Sequence, residues 1–551
     1  MVGPDRSGAV SIFLLPSARA TKLFPLLCVY NNNPMRTRFL LRGSCLILAC
    51  FAGLQSLRAQ EAAKIIEQYV KATGGGGKLS KLRTLSLEGS LTRVSDGKTG
   101  TFTLDTKTPN RYYMELLAGD QPEILAYNGK SAWHLSVPGE PATLLGQEAL
   151  ELEAASFLAT THLLTLKKSK AGAAFISPAK VGSRDALVVE ITMPTGVKRQ
   201  FYLEVSSHLL LKESGATGGA PQEMIYDDYR PENGIQIAHK LELHRGNETY
   251  NIVVNRVSVN QGIGERVFDF PIKSQVRRPD LKKLFAEIDA NQKAADKIKE
   301  NYTGRRATEE TQFDGSGKVT KIERQEYTFF YLHGEEISTL VGEDGKPLSK
   351  EKQAKQNEMT KKRIEEVQKK QTKKDEKEKK AEEEGKGDKD KDQDEPGIEI
   401  FLRSCQFVNP RHERFRGQDV LVFDFEGNPE YKPKNIAEHV AQQLAGVVWV
   451  DEKQHEVVRL EAYFVKDFRF AGGLLANLQK GTSFIFEQTF LNNEVWLPTY
   501  EEAHVGVRVL LVKGFKVNEV TRYSDYQRFH IETLSTIAKP KEPANPPDKQ
   551  P

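Results

Sequence analysis

Two stretches of this chain read as copies of one strand–turn–strand unit. "IYDDYRPENGIQIAHKLELH" (Ile225–His244) and "IFEQTFLNNEVWLPTYEEAH" (Ile485–His504) align without a gap. They share Ile225/Ile485, Asn233/Asn493, Glu242/Glu502 and His244/His504, with apolar residues at Ile235/Val495 and Ile237/Leu497. Upstream, "YLEVSSHLLLK" (Tyr202–Lys212) aligns with "WVDEKQHEVVR" (Trp449–Arg459), pairing Tyr202/Trp449, His208/His455 and Lys212/Arg459. Between these blocks the second copy carries thirteen extra residues within "AYFVKDFRFAGGLLANLQKGT", which reads as a longer hairpin connection. A duplicated chain must fold twice in the same way, so two copies of one domain are expected. Asn233 and Asn493 belong at the tips, because asparagine tolerates the left-handed backbone of tight hairpins.

Each copy opens on an amphipathic helix. In "EAAKIIEQYVKATGGGG", Ile65, Ile66, Tyr69 and Val70 fall on one face, and Gly74–Gly77 end the helix. In "DLKKLFAEIDANQKAADKIKENY", Leu281, Leu284, Phe285, Ile288 and Ala295 form the stripe. Short alternating strands with turn signals then follow in both copies, which implies broad antiparallel sheets. A short helix is expected after Asn435, a cap with Glu438 three residues on, and with Ile436, Val440 and Leu444 on one side until Gly446. Residues 349–396 are almost wholly Lys, Glu, Asp and Gln. They are expected to form a solvated, largely disordered insertion whose first half can be helical, and which could serve as a partner-binding arm. The tail 536–551 is proline-rich and expected to be unfolded.

The 551 residues exceed one ordinary core, and the formal charge of +4 offers no basis for nucleic-acid binding. From Met35, "MRTRFLLRGSCLILACFAGLQSLRAQ" reads as a secretory signal over 35–59, with translation expected to start at Met35 and residues 1–34 an extension. Cleavage after Ala59 would release a soluble periplasmic protein. Alternatively, "ILAC" would make Cys50 a lipidated anchor in the envelope. Beyond the leader the only cysteine is Cys405, as suits an oxidising compartment.

The segment "KTPNRYYMELLAGDQPEILAYNGKSAW" (Lys107–Trp133) resembles the periplasmic outer-membrane lipoprotein carrier (LolA-like) and lipid-binding lipoprotein superfamily. Pro109, Asn110, Asn128, Gly129, Lys130 and Trp133 keep the family pattern. The family's arginine before the proline is Thr108 here, a departure from the carrier's hand-off chemistry. The resemblance implies two tandem unclosed antiparallel β-barrels, α+β and mainly β, over 60–271 and 279–535, with helices covering each concave face. It also implies no cofactor, and acyl chains of a lipid or lipoprotein as the partner. Trough candidates are Tyr113, Leu125, Trp133, Tyr202, Ile225, Ile235 and Ile237 in the first copy. In the second they are Phe423, Trp449, Phe484, Phe486, Trp496 and Leu497. Residues of these types are equally at home in a filled core, which would make the protein a non-catalytic envelope scaffold.

No catalytic or metal motif completes itself. "GGGGKLS" and "DGSGKVT" lack the first glycine of a phosphate loop, and "QHEVV" and "RHERF" lack a second zinc-protease histidine. His208, His455, His244 and His504 fit a hairpin turn and a strand edge, so neither a metal site nor an enzyme is expected.

Overall fold

A computed structural model describes residues 44–120, 122–136, 139–166, 168–271, 280–314, 319–383, 404–470, 476–508 and 515–529. The extension 1–34, most of the leader's basic region, residues 384–396 and the tail 536–551 lie outside them. The chain forms two compact units. One comprises Asn32–Arg277 with Asn409–Asp424; the other includes Arg278–Val408 and Phe425–Pro551.

The first unit begins with α1 (Ser44–Thr73) and α2 (Gly76–Leu79). Six strands follow: β1 (Thr84–Arg93), β2 (Thr99–Lys107), β3 (Arg111–Ala118), β4 (Pro122–Tyr127), β5 (Ala132–Leu135) and β6 (Ala142–Thr143). After α3 (Gly146–Thr161) come β7 (Gly172–Val181), β8 (Arg184–Thr192), β9 (Lys198–Glu204) and β10 (Leu210–Thr217). The last three are β11 (Ala220–Glu232), β12 (Ile235–Arg245) and β13 (Glu248–Val259). All thirteen make one sheet in the order β6-β5-β4-β3-β2-β1-β13-β12-β11-β10-β9-β8-β7, so its edges do not meet.

That sheet is strongly curled. Glu123 on β4 and Arg245 on β12 are five places apart in it, about 24 Å if it were flat. Their side chains nevertheless pair at 2.6 Å. α1 ends at Gly74, whose φ of 145° lets it lie against the β11–β12 turn; a Cβ there would stand 2.8 Å from the Gly234 carbonyl. Ile65 and Tyr69 of the expected α1 stripe are buried, and Ile66 and Val70 pack beside them.

The second unit has α4 (Leu281–Lys299), capped by Asp280, whose side chain accepts from the Lys283 N–H. Then follow β14 (Tyr302–Phe313), β15 (Val319–Leu332), β16 (Glu335–Glu343), β17 (Lys346–Pro347) and α5 (Lys350–Glu383). The hairpin β18 (Cys405–Phe415) and β19 (Gln418–Gly427) leads to α6 (Ile436–Ala441). Next come β20 (Leu444–Asp451), β21 (Val457–Phe464), β22 (Phe468–Phe470) and β23 (Ala476–Leu478). β24 (Ser483–Leu491), β25 (Val495–Arg508) and β26 (Phe515–Arg528) complete the sheet, ordered β17-β16-β15-β14-β26-β25-β24-β21-β20-β19-β18. Strand for strand, that order reproduces β4-β3-β2-β1-β13-β12-β11-β10-β9-β8-β7.

The duplication is therefore structural. The two repeated stretches form the equivalent hairpins β11–β12 and β24–β25, pairing Ile225 with Glu242 and Ile485 with Glu502. Asn233 and Asn493 sit at the tips with φ of 48° and 59°. The thirteen-residue insertion forms the extra hairpin β22–β23, whose second strand also pairs with β25.

Two expectations change. α6 stops at Ala441, and Leu444 instead begins β20, although Asn435 does accept from the Glu438 N–H at 2.8 Å. The charged insertion is helical over Lys350–Glu383 rather than largely disordered. Its inner side meets β16 through Thr360 on Thr339, Arg363 on Glu335 and a Val367 side chain only 1% exposed. Charge pairing and one buried valine thus seat a helix that has no apolar stripe. No described helix is long and apolar enough to cross a membrane.

Candidate ligand-binding troughs

In the first unit one face of the curled sheet is covered by α1 and α3. Beneath them Leu87, Phe102, Met114, Leu125, Ile235 and Ile237 pack with Leu152 of α3. A second cluster joins Ala62, Ile65 and Tyr69 of α1 and Leu158 of α3 to Val189, Ile191, Phe201 and Leu203. The α3 helix, unread in the sequence, is buried on most sides at Leu152, Ala154, Ala155, Ser156 and Leu158, so no single stripe marks it.

A polar belt crosses this apolar interior. Arg199 Nε donates to Glu213 at 2.6 Å, and its Nη1 donates to Thr217 Oγ1 at 2.8 Å. Tyr226 donates to the other Glu213 oxygen at 3.3 Å. Arg245 Nη1 donates to the Thr217 carbonyl at 2.7 Å. Glu213 stands opposite Phe201 and Met224 in the sheet and so shares their face. Burial pushes the Tyr226 hydroxyl well above its usual range and the Tyr69 hydroxyl up to about 12, so both stay protonated. Sequence could have flagged this belt, since Arg199 shares the alternation phase of Phe201 and Leu203.

The predicted first-unit residues divide between the two faces. Leu125, Ile235 and Ile237 lie together under the helices. Tyr113 and Trp133 both pair with Ala126 and so lie on the opposite face from Leu125. There Trp133 packs edge-on against Phe270, centroids 5.9 Å apart, and its indole N–H donates to the Phe268 carbonyl at 2.9 Å. Tyr202, Lys212 and Ile225 form a cross-strand row on that outer face as well, with the Lys212 ammonium 4.4 Å from the Tyr202 ring centroid.

In the second unit α4 buries Leu284, Phe285 and Ile288. Ala295 and Ile298 pack on Tyr302, Phe329, Tyr331, Val495, Leu497 and Tyr523. A small cleft lies between α4 and the sheet, lined by Gln292, Ala295, Lys299, Glu456, Phe486, Gln488, Trp496 and Pro498, with interior room for about one water molecule. Phe484 meets Phe464 edge-on, centroids 6.3 Å apart. Trp449 shares a row with Arg459 and Glu487, on the face away from Phe486. Phe423 is buried in the segment that packs with the first unit. Of the six second-copy candidates, Phe486 and Trp496 line the cleft and Leu497 lies beneath α4.

α4 is held to the β20–β21 turn by polar contacts. Asn291 Nδ2 donates to the Gln454 carbonyl at 2.7 Å, and Glu287 meets His455 Nδ1 at 2.7 Å. Trp496 Nε1 donates to Gln454 Oε1 at 2.5 Å. Beside them burial raises the Glu456 carboxyl to about 7, opposed by the neighbouring Lys299 ammonium and reinforced by Asp296. A carboxyl with a raised folded pKa binds its proton more tightly in the folded chain. Its stabilisation is therefore full below about pH 4.5 and is lost as pH rises to about 7. Glu456→Gln should remove that part of the pH dependence. The melting temperature of the variant relative to wild type is expected to climb across this window and level off above it; a pH-independent difference would place the titration elsewhere.

His208 and His455 both occupy left-handed turn positions, and His244 and His504 pair with Glu242 and Glu502 at 2.7 and 2.6 Å. No group of three metal-ligating side chains occurs among the described residues. Cys405 is buried, which pushes its thiol up to about 12 and leaves it unreactive.

No protein-family model matches the sequence, and no curated protein matches it. Among solved structures, the chain is similar in fold to a DUF1329 family protein from Desulfovibrio piger and to a LolA superfamily protein from Nitrosomonas europaea. Each is 11% identical over 38% of this chain, covers 97% and 96% of its own chain, and has a TM-score of 0.27. The MucA/MucB complex of Pseudomonas aeruginosa is 8% identical, over 85% of this chain and 99% of that one, with a TM-score of 0.17.

Proposed function

We propose that this is an envelope protein that buries acyl chains of a lipid or lipoprotein under the helices of its half-barrels, in transport or sorting, without bond-making chemistry. One observation carries the reading: each apolar sheet face is covered by helices, not closed by strand pairing. Opening a closed barrel would break a ladder of backbone hydrogen bonds. Displacing a helix breaks side-chain contacts and a few polar links such as Asn291–Gln454. Each buried methylene of a chain contributes about 0.8 kcal/mol, so a long chain can offset what the helix side chains give up. The trough would lie along Leu125, Ile235 and Ile237 in the first unit and beside Phe486, Trp496 and Leu497 in the second. We place the protein in the periplasm, released after Ala59, with an anchor through Cys50 as the alternative.

A second reading has its own support. Leu125 and Leu497 are 1% and 0% exposed, as in a filled, non-catalytic scaffold. Native mass spectrometry of protein purified without delipidation separates the two. A carrier should show adducts of lipid mass that dissociate on activation, whereas a scaffold shows the bare chain.

A further inference from the structure

Surface cations of the first unit mostly stand beside acids: Arg93 and Lys98 on Asp96, Lys107 and Arg111 on Glu265, Arg184 on Asp227, Lys198 on Glu190, and Arg256 on Glu88. One group does not. Lys64 and Lys71 on α1, Lys78 in α2, and Lys81 and Arg83 just before β1 are all exposed. None has an ion-pair partner among the described residues. Their one described side-chain bond is from Lys78 Nζ to the Gly234 carbonyl, at 3.2 Å.

The five follow one another along the surface. Lys64 and Lys71 are seven residues apart, hence on one line of the helix about 10 Å apart. Gly74 turns the chain over the β11–β12 hairpin, and Lys81 follows Lys78 by one turn, its N–H donating to the Lys78 carbonyl at 3.0 Å. Glu61 and Glu67 flank Lys64 at about 60° to either side, and Glu232 lies two residues before the Gly234 carbonyl that Lys78 meets, so five cations face three neighbouring acids.

We propose that this cationic face binds anionic lipid headgroups at a membrane surface. Four of its five cations are lysines, point charges on flexible stems that suit diffuse headgroup charge better than bidentate recognition of one acidic side chain. α1 is also continuous from Ser44, and its upstream sequence, Cys45–Leu57, is largely apolar. Retained as a tether, that segment would deliver the lysines to the bilayer boundary. A lysine held there contributes about 1 kcal/mol on an anionic leaflet. The inference holds whether or not the troughs take a chain.

The test is flotation of the full chain with vesicles of phosphatidylcholine alone, or with about one quarter phosphatidylglycerol. The leader's Arg36, Arg38 and Arg42 also favour anionic vesicles, so all measurements are made in a chain with these three changed to glutamine, where binding through the apolar leader is indifferent to vesicle charge and sets the baseline. Phosphatidylglycerol is expected to raise binding by about ten-fold or more, and high salt or Lys64→Glu/Lys71→Glu/Lys81→Glu to abolish the gain with an unchanged melting temperature. Lys64→Gln/Lys71→Gln/Lys81→Gln, which adds no like-charge repulsion, should lose most of the gain should the glutamates perturb the fold. Equal binding to both vesicles overturns the proposal. So does a phosphatidylglycerol gain that survives these substitutions, as does binding to a soluble acidic polypeptide without binding to vesicles.

Discussion

Arg411→Ala is expected to destabilise the first unit by about 3–5 kcal/mol. Arg411 is buried in the Asn409–Asp424 segment, between two carboxylates. Its Nη1 meets Asp424 at 2.9 Å, and its Nε meets Glu413 at 2.8 Å. Asp424 is 0% exposed and also accepts from Asn409 and Ser131, and Glu413 accepts the backbone N–H of Thr143 on β6. Removing the guanidinium strands two charges away from water, and that desolvation outweighs the side-chain entropy released. Arg411→Met combined with Glu413→Gln and Asp424→Asn should recover much of the loss, because the buried charges go together. Denaturant unfolding of the three proteins checks this. A loss below about 1 kcal/mol for the single variant would mean that water reaches the carboxylates.

Trp133→Glu is expected to unfold the first unit rather than abolish ligand binding in a folded one. Truncating a buried tryptophan costs about 3–5 kcal/mol, and a carboxylate with no partner adds to it. Trp133 is 3% exposed, against Phe270, and holds the Phe268 carbonyl. Trp133→Phe keeps most of the packing and leaves that carbonyl without its donor, at about 1–2 kcal/mol. Circular dichroism and thermal melts distinguish these outcomes. A folded Trp133→Glu protein would show that the outer face of β4–β5 is not a packed layer.

The repeat was the most legible part of the chain, because residues with unusual backbone needs recur in both copies. His208 and His455, like Asn233 and Asn493, take left-handed angles at matching turns. Alternation located most strands but not their faces. In β4, Ile124, Leu125, Ala126 and Tyr127 are all buried, so no period marks which side meets the helices. Trp133 on β5 keeps the family pattern, and its side chain packs in the outer layer with Ile124, Ala126 and Phe270. The helix formers of α5 are plain in the sequence, but its seat is Thr360, Arg363 and Val367, which no apolar stripe announces. The Arg199–Glu213 belt was written as charges in the inward phase of apolar strands, a pattern that only register makes decisive.

Whether a helix gives way to an acyl chain can be read from the three tryptophans Trp133, Trp449 and Trp496. Trp496 lines the cleft under α4, whereas Trp133 lies on the outer face of its sheet and Trp449 on the face away from Phe486. The measurement is fluorescence quenching by a brominated fatty acid, in proteins that keep one tryptophan and carry phenylalanine at the other two. Saturable quenching of Trp496, with Trp133 and Trp449 unaffected, is the predicted result. An unquenched Trp496 in the folded protein, or equal quenching of all three, would contradict it.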